Sequence, residues 1–174
     1  MATDSCAHEH VQVAVLSFGH PFTWWQATRR MELSFAFFAD SAVVPPDGKA
    51  YVLGGGFSTL ALPQLPGRAA FAVVAGFRFG PGDVGQLRQV ELRLVDADGK
   101  LIIPTANLQF QSQGARLEPG QEVSISTVTV LQPMFAEPGT YTAEFWHEAV
   151  RLAGVNLHVM ERQAPQPIPT DRAN

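Results

Sequence analysis

Ala70-Phe71-Ala72-Val73-Val74-Ala75-Gly76-Phe77-Arg78-Phe79 is apolar at every second position from Phe71 to Phe79, and nearly so in the alternate phase, where Ala72, Val74 and Gly76 precede Arg78. A period of two over this length is the signature of a β-strand. Apolar residues in both phases require cover on both faces, which places the strand in the middle of a sheet. On its C-terminal side, Gly80-Pro81-Gly82-Asp83 makes a loop, and Gln89 to Val95 follow with Val90, Leu92 and Leu94 set against Glu91 and Arg93. That cleaner alternation predicts a strand with one face toward water.

Further along, Asp96-Ala97-Asp98-Gly99-Lys100 sets an Asp-Gly pair between apolar runs, a hairpin signal in which Gly99 supplies the turn. The return strand is expected to open at Leu101-Ile102-Ile103 and break at Pro104, with Leu108 and Phe110 marking a short edge segment. Gly114 to Gln121, with Pro119-Gly120, reads as another turn. From Glu122 to Leu131 the apolar phase changes: Val123 and Ile125 are odd, Val128 and Val130 even. Such a change predicts a bulge or a strand that crosses between sheets. Tyr141, Ala143 and Phe145 then face Thr142 and Glu144, and the final strand turns Val155, Leu157 and Val159 inward, Asn156 and His158 outward.

On the N-terminal side, Leu33, Phe35 and Phe37 fall on one face of a first strand and Ser34, Ala36 and Phe38 on the other. Pro45-Pro46-Asp47-Gly48 forces a turn, since proline fixes φ and glycine accepts a positive one. A short strand from Ala50 to Leu53 ends in Gly54-Gly55-Gly56.

Together these elements predict an all-β fold: a two-sheet antiparallel sandwich, immunoglobulin-like or Greek-key, of about seven to eight strands. Residues 31–162 form this domain, and 163–174, rich in proline, read as a disordered tail. Residues 1–30 form an N-terminal extension with two readings: a segment that packs Trp24 and Trp25 on a partner, or the artefact of a mis-assigned start, with translation beginning at Met31. The second is preferred, because strand alternation begins directly after that methionine.

Composition bounds function mainly by exclusion. The net charge is −4, and ten arginines and two lysines are scattered rather than grouped, which argues against nucleic acid or a membrane surface as partner. No apolar run approaches a membrane span, and Val11 to Phe18 lacks the basic flank of a signal peptide. Cys6 is the single cysteine, so no intramolecular disulfide forms and a reducing cytoplasm is expected. Charged residues make up only 16% of the chain, which points to some face covered by a protein partner or another copy.

Pro138-Gly139 just before Tyr141 resembles the tyrosine corner of immunoglobulin-like sandwiches, in which the phenol hydroxyl bonds the backbone of the connection that crosses between sheets. Tyr141 and Gly139 would be structural there. Ala39-Asp40-Ser41-Ala42-Val43-Val44, Asp47-Gly48-Lys49, Val52-Leu53-Gly54-Gly55-Gly56 and Pro138-Gly139-Thr140-Tyr141 with Phe145 are similar to a family of small bacterial proteins catalogued only as a domain of unknown function. The resemblance covers residues 31–162, implies the β-sandwich and supplies no activity.

Each candidate for chemistry has a plainer explanation beside it. Cys6, His8 and His10 offer three soft ligands, but a structural zinc site draws a second pair from another segment, and none exists. Asp96 and Asp98 resemble the start of a calcium loop, yet the twelfth position is Asn107 rather than an acid. With Asp40 and Asp83 they could line a calcium- or lipid-dependent site at one end of the fold, although turn chemistry accounts for all four. His147 and His158, near Glu144 and Glu148, are the only set suited to acid–base work, without a nucleophile beside them. Gly54-Gly55-Gly56 lacks the Gly-Lys-Ser/Thr ending of a phosphate loop. Phe38, Phe110 and Trp146 could stack single-stranded bases only if basic residues were interleaved, which they are not. The expected role is therefore non-enzymatic, without cofactor: a module contacting a protein, or itself, through an aromatic-rich face or an edge strand.

Overall fold

The computed structural model describes residues 31–80, 83, 85–111, 117–118 and 121–163. Cys6, His8, His10, Trp24 and Trp25, most of the expected 114–121 turn and the proline-rich tail lie outside the described residues. Twelve strands follow in chain order: β1 (Glu32–Ala39), β2 (Ser41–Val43), β3 (Tyr51–Leu53), β4 (Thr59–Leu62), β5 (Gly67–Arg68), β6 (Phe71–Phe79), β7 (Leu87–Val95), β8 (Ala106–Gln111), β9 (Val123–Leu131), β10 (Met134–Phe135), β11 (Gly139–His147) and β12 (Val150–Glu161). The structure has more strands than the seven to eight expected. Five of the twelve have four residues or fewer, too few to express an alternation.

β6 is buried at every position but Arg78 and lies between β1 and β9 in a three-stranded antiparallel sheet. A five-stranded sheet runs β4-β12-β11-β7-β8, and two-stranded ribbons join β2 to β3 and β5 to β10. One pair departs from the antiparallel expectation: β4 runs parallel to β12, from Thr59 opposite His158 to Leu62 opposite Glu161. Parallel neighbours need a long crossover, which the intervening strands supply.

The core is filled from both large sheets. Phe71, Val73, Ala75, Phe77 and Phe79 of β6 share one apolar cluster with Val90, Leu92 and Leu94 of β7, Ala143 and Phe145 of β11, and Leu157 and Val159 of β12. Aromatic rings mark its two ends. Phe71 meets Phe38 edge-on at 5.5 Å and stacks with Phe135 at 6.5 Å, and Phe135 meets Tyr141 at 4.6 Å. At the other end Phe77 meets Phe110 at 4.8 Å and Phe145 at 6.0 Å. The aromatic excess of the sequence is thus largely core.

Two strand readings are corrected. β9 carries neither bulge nor crossing: its register with β6 is unbroken from Leu131 opposite Phe71 to Val123 opposite Phe79. The phase change arises because both its faces are used. Ile125 and Leu131 enter the main core, whereas Val128 packs with Ala39, Ala72 and Val74 in a second cluster on the outer face. β1 has the irregularity instead, between Leu33 and Phe35, so Leu33 joins Ala36 and Phe38 on the core side while Phe37 faces outward. A bulge inserts one residue and exchanges faces beyond it. The return strand after β7 is also displaced: Leu101 makes one bridge to Val95, and the paired strand β8 starts beyond Pro104, with Ala106 opposite Leu92.

Candidate functional site

Turn chemistry explains the acidic candidates. Asp96 Oδ1 accepts from the amides of Asp98 (3.0 Å) and Lys100 (2.9 Å), and Gly99, at φ 78°, donates to the Asp96 carbonyl at 3.1 Å. The side chain of an aspartate closing its own turn needs no ion. Asp83 lies beyond the opposite end of β7, buried, with Oδ1 2.6 Å from Arg88 Nη2 and Oδ2 accepting from the Gly80 amide at 3.2 Å. The eight residues from Arg88 to Asp96 span about 27 Å of strand, so the acids do not share one end. Asp40 stands apart, its carboxyl against Gly54. Among the described residues no three of His, Cys, Asp and Glu gather as a metal site requires.

The histidines are likewise separated. His147 lies next to the tip of the β11–β12 hairpin, opposite Val150, whereas His158 stands opposite Thr140, seven residues or about 23 Å along β11. His147 Nδ1 donates to the Gln89 carbonyl at 2.7 Å, which leaves Nε2 3.7 Å from Glu148 Oε1. Glu148 also approaches Arg88, at 3.9 Å. Glu148 and Ala149 form the two-residue turn at φ 48° and 64°, conformations that usually call for asparagine or glycine. Among the described residues, Arg88 Nε is buried without a partner. These groups line a hollow of about 320 Å³ with Leu87 and Trp146, and none of the described residues lining it carries a hydroxyl or thiol.

Tyr141 closes the other end. Its ring is buried against Phe135 and its hydroxyl donates to the Glu137 carbonyl at 2.8 Å, across the Pro138-Gly139 turn. Burial pushes its pKa above 10, because the phenolate would lose its hydration; the hydrogen bond to the Glu137 backbone offsets part of this, and the charges of Asp96 and Glu137 add to the rise. The unfolded chain therefore releases this proton at lower pH than the folded one. Stability from this group is complete below pH 10 and falls as pH rises past it. Tyr141→Phe is expected to cost about 1 kcal/mol at neutral pH through the lost hydrogen bond. It should also flatten the alkaline decline, as urea titrations from pH 7 to 11 on both proteins would reveal; an equally steep decline in the variant would refute the assignment.

The outer faces of the two large sheets differ sharply. That of the five-stranded sheet is mostly polar, Met160 apart, and its polar side chains pair with one another. Arg93 Nε lies 3.1 Å from Glu91 and its guanidinium 4.7 Å over Trp146; Trp146 Nε1 donates to Glu144 at 2.9 Å, and Glu144 holds Arg151 at 3.0 Å. Thr142 donates to Asn156 at 3.0 Å. Phe38 and Phe110, which would have to be exposed with Trp146 to stack bases, are buried.

The outer side of the three-stranded sheet is apolar. Phe35 and Phe37 stack at 5.9 Å, with the Phe35 ring directly over Gly76, where a Cβ would collide with it. The β2–β3 ribbon covers part of this face through Ala42 and Ala50. Its far side shows Val43, Tyr51 and Leu53, exposed at 57%, 53% and 71%. Val43 and Tyr51 are directly paired and Leu53 follows two residues on, so all three project from one face. Sequence reasoning placed Tyr51 and Leu53 in an ordinary strand and gave Val43 no strand, since elements of three residues cannot reveal which face is covered. The usable signal was their spacing around the Pro45-to-Gly48 turn, closed by the Gly48 amide donating to Pro45 at 2.9 Å.

Residues 34–160 match a family of unknown function (DUF6941). The chain belongs to this family. The matched region runs from β1 into β12, so both large sheets and the β2–β3 ribbon are part of what defines DUF6941. No curated protein matches the chain. Among the described residues no helix is long and apolar enough to cross a membrane.

Proposed function

We propose that this DUF6941 chain is a non-enzymatic protein-contact module, a two-sheet sandwich of immunoglobulin-like or Greek-key type that binds a protein through the outer side of its three-stranded sheet. The observation that carries this reading is the contrast between the two outer faces. One sheet meets water with paired polar side chains, as a half-solvated sheet does. The other presents Phe35, Val43, Tyr51 and Leu53, large apolar groups whose exposure has no role in folding. The separation of His147 from His158, and of Asp83 from Asp96, supports contact over catalysis or calcium-dependent ligand binding. The single cysteine supports a cytoplasmic setting.

A photo-crosslinking residue placed at Leu53, with a control at Asn156 on the polar face, tests the reading in cells. A discrete protein adduct is expected at position 53 alone, lost when Tyr51→Asp is added while the melting temperature holds. Equal labelling at both positions, or none at 53, would overturn it.

A further inference from the structure

Among the described residues β9 pairs only with β6, which leaves its second edge open. Natural sheets protect such edges with charge, proline, a bulge or brevity. Most other open edges among the described residues have one of these. β4 has four residues and stops at Pro63; β1 is bulged, and the Gly56 amide donates to Phe38 across its far half; β8, uncharged like β9, is three residues shorter. The strands of the β2–β3 ribbon have three residues each.

β9 has none. Val-Ser-Ile-Ser-Thr-Val-Thr-Val-Leu runs nine residues in unbroken register, with six β-branched side chains and no charge, proline or glycine. We propose that this edge pairs with the same edge of a second copy, antiparallel across a two-fold axis at Thr127, joining two three-stranded sheets into one of six strands. The inference goes beyond the outer-face reading: it gives the open edge of the same sheet, a surface that reading does not use, to a second copy of the chain.

The sequence of β9 suits this occupant. A two-fold pairing brings a strand against itself, so a charge near the axis would meet its own like charge. A neutral strand avoids this. With the axis at Thr127, Ile125 faces Thr129 of the second copy, Ser126 faces Val128 and Ser124 faces Val130. Directly opposed residues share a face, so the core sides join core sides and the outer sides join outer sides. Ile125, Thr127 and Thr129 are only half-buried in one copy, and the second copy would cover them. Just outside the strand, Glu122, which already pairs with Arg78, would face neutral Gln132.

The test uses the full chain. Sedimentation should give about twice the 18.9 kDa chain mass at micromolar concentration, and Ser126→Lys should return it to a folded monomer whose melting temperature, unlike the wild type's, does not rise with protein concentration. In a Cys6→Ser background, Ser124→Cys and Val130→Cys variants should form a disulfide dimer when mixed, and little when alone, because opposed residues lie within disulfide reach. A monomer at 100-fold higher concentration overturns the proposal, whether or not it binds an added strand peptide. So does a dimer that ignores Ser126→Lys or cross-links in another register. The Leu53 adduct is scored separately, so a monomeric protein that keeps it leaves the contact-module reading intact.

Discussion

Truncating Phe77 to alanine will lower the free energy of unfolding by about 3–5 kcal/mol. The ring is fully buried on the C-terminal half of β6's core face and touches Phe110 of β8 and Phe145 of β11, so it ties the three-stranded sheet to the five-stranded one. The loss has two parts: the transfer of the ring's apolar surface, and the cavity left where rigid strands cannot close in from either side. Against a total stability of about 5–15 kcal/mol for a domain, this is enough to make the protein marginal at 37 °C. The midpoint of urea unfolding should fall at constant slope. A cost below about 1 kcal/mol would mean that the sheets do not meet through this residue.

Arg88→Met should cost nearly as much, about 3 kcal/mol, for an electrostatic reason. Asp83 is buried, and its carboxylate is held by Arg88 at 2.6 Å and by the Gly80 amide. Removing the guanidinium leaves an anion out of water with, among the described residues, only the neutral Gly80 amide to hold it. The wild-type pair itself has modest net worth, since desolvating both charges offsets their attraction, and the Nε of Arg88, without a partner among the described residues, adds to that cost. The double variant Asp83→Asn/Arg88→Met is therefore expected to be more stable than Arg88→Met alone, because asparagine keeps an acceptor for Gly80 without the charge. Simple addition of the two single effects would refute the coupling.

These residues also mark how far the sequence could be read. β6 was legible because both of its phases are apolar, and that pattern has one common cause, cover on both faces. β9 was misread because the same cause, spread over different positions on each face, looks like a shift of phase. β1 was misread in the opposite sense: Leu33, Phe35 and Phe37 are all apolar, so a bulge between the first two leaves no trace in their spacing. Asp96 and Asp98 could be assigned to a turn from Gly99 alone, but the pairing of Asp83 with Arg88 depends on how the loop before β7 closes, which no local pattern specifies. Val43, Tyr51 and Leu53 were legible as apolar and not as exposed, because exposure depends on which face of the ribbon the larger sheet covers.

The parallel pair of β4 and β12 has a consequence for how the protein is made. Its two strands, Thr59–Leu62 and Val150–Glu161, lie roughly one hundred residues apart along the chain, and β12 also supplies Leu157 and Val159 to the core. On a ribosome adding about 5–20 residues per second, β4 waits several seconds for its neighbour. Until β12 leaves the exit tunnel, the five-stranded sheet lacks one of its central members and the emerged strands expose the apolar side that β12 will cover. Folding of this chain is thus completed after synthesis of its last strand, and the nascent protein passes through an interval in which chaperones can engage it.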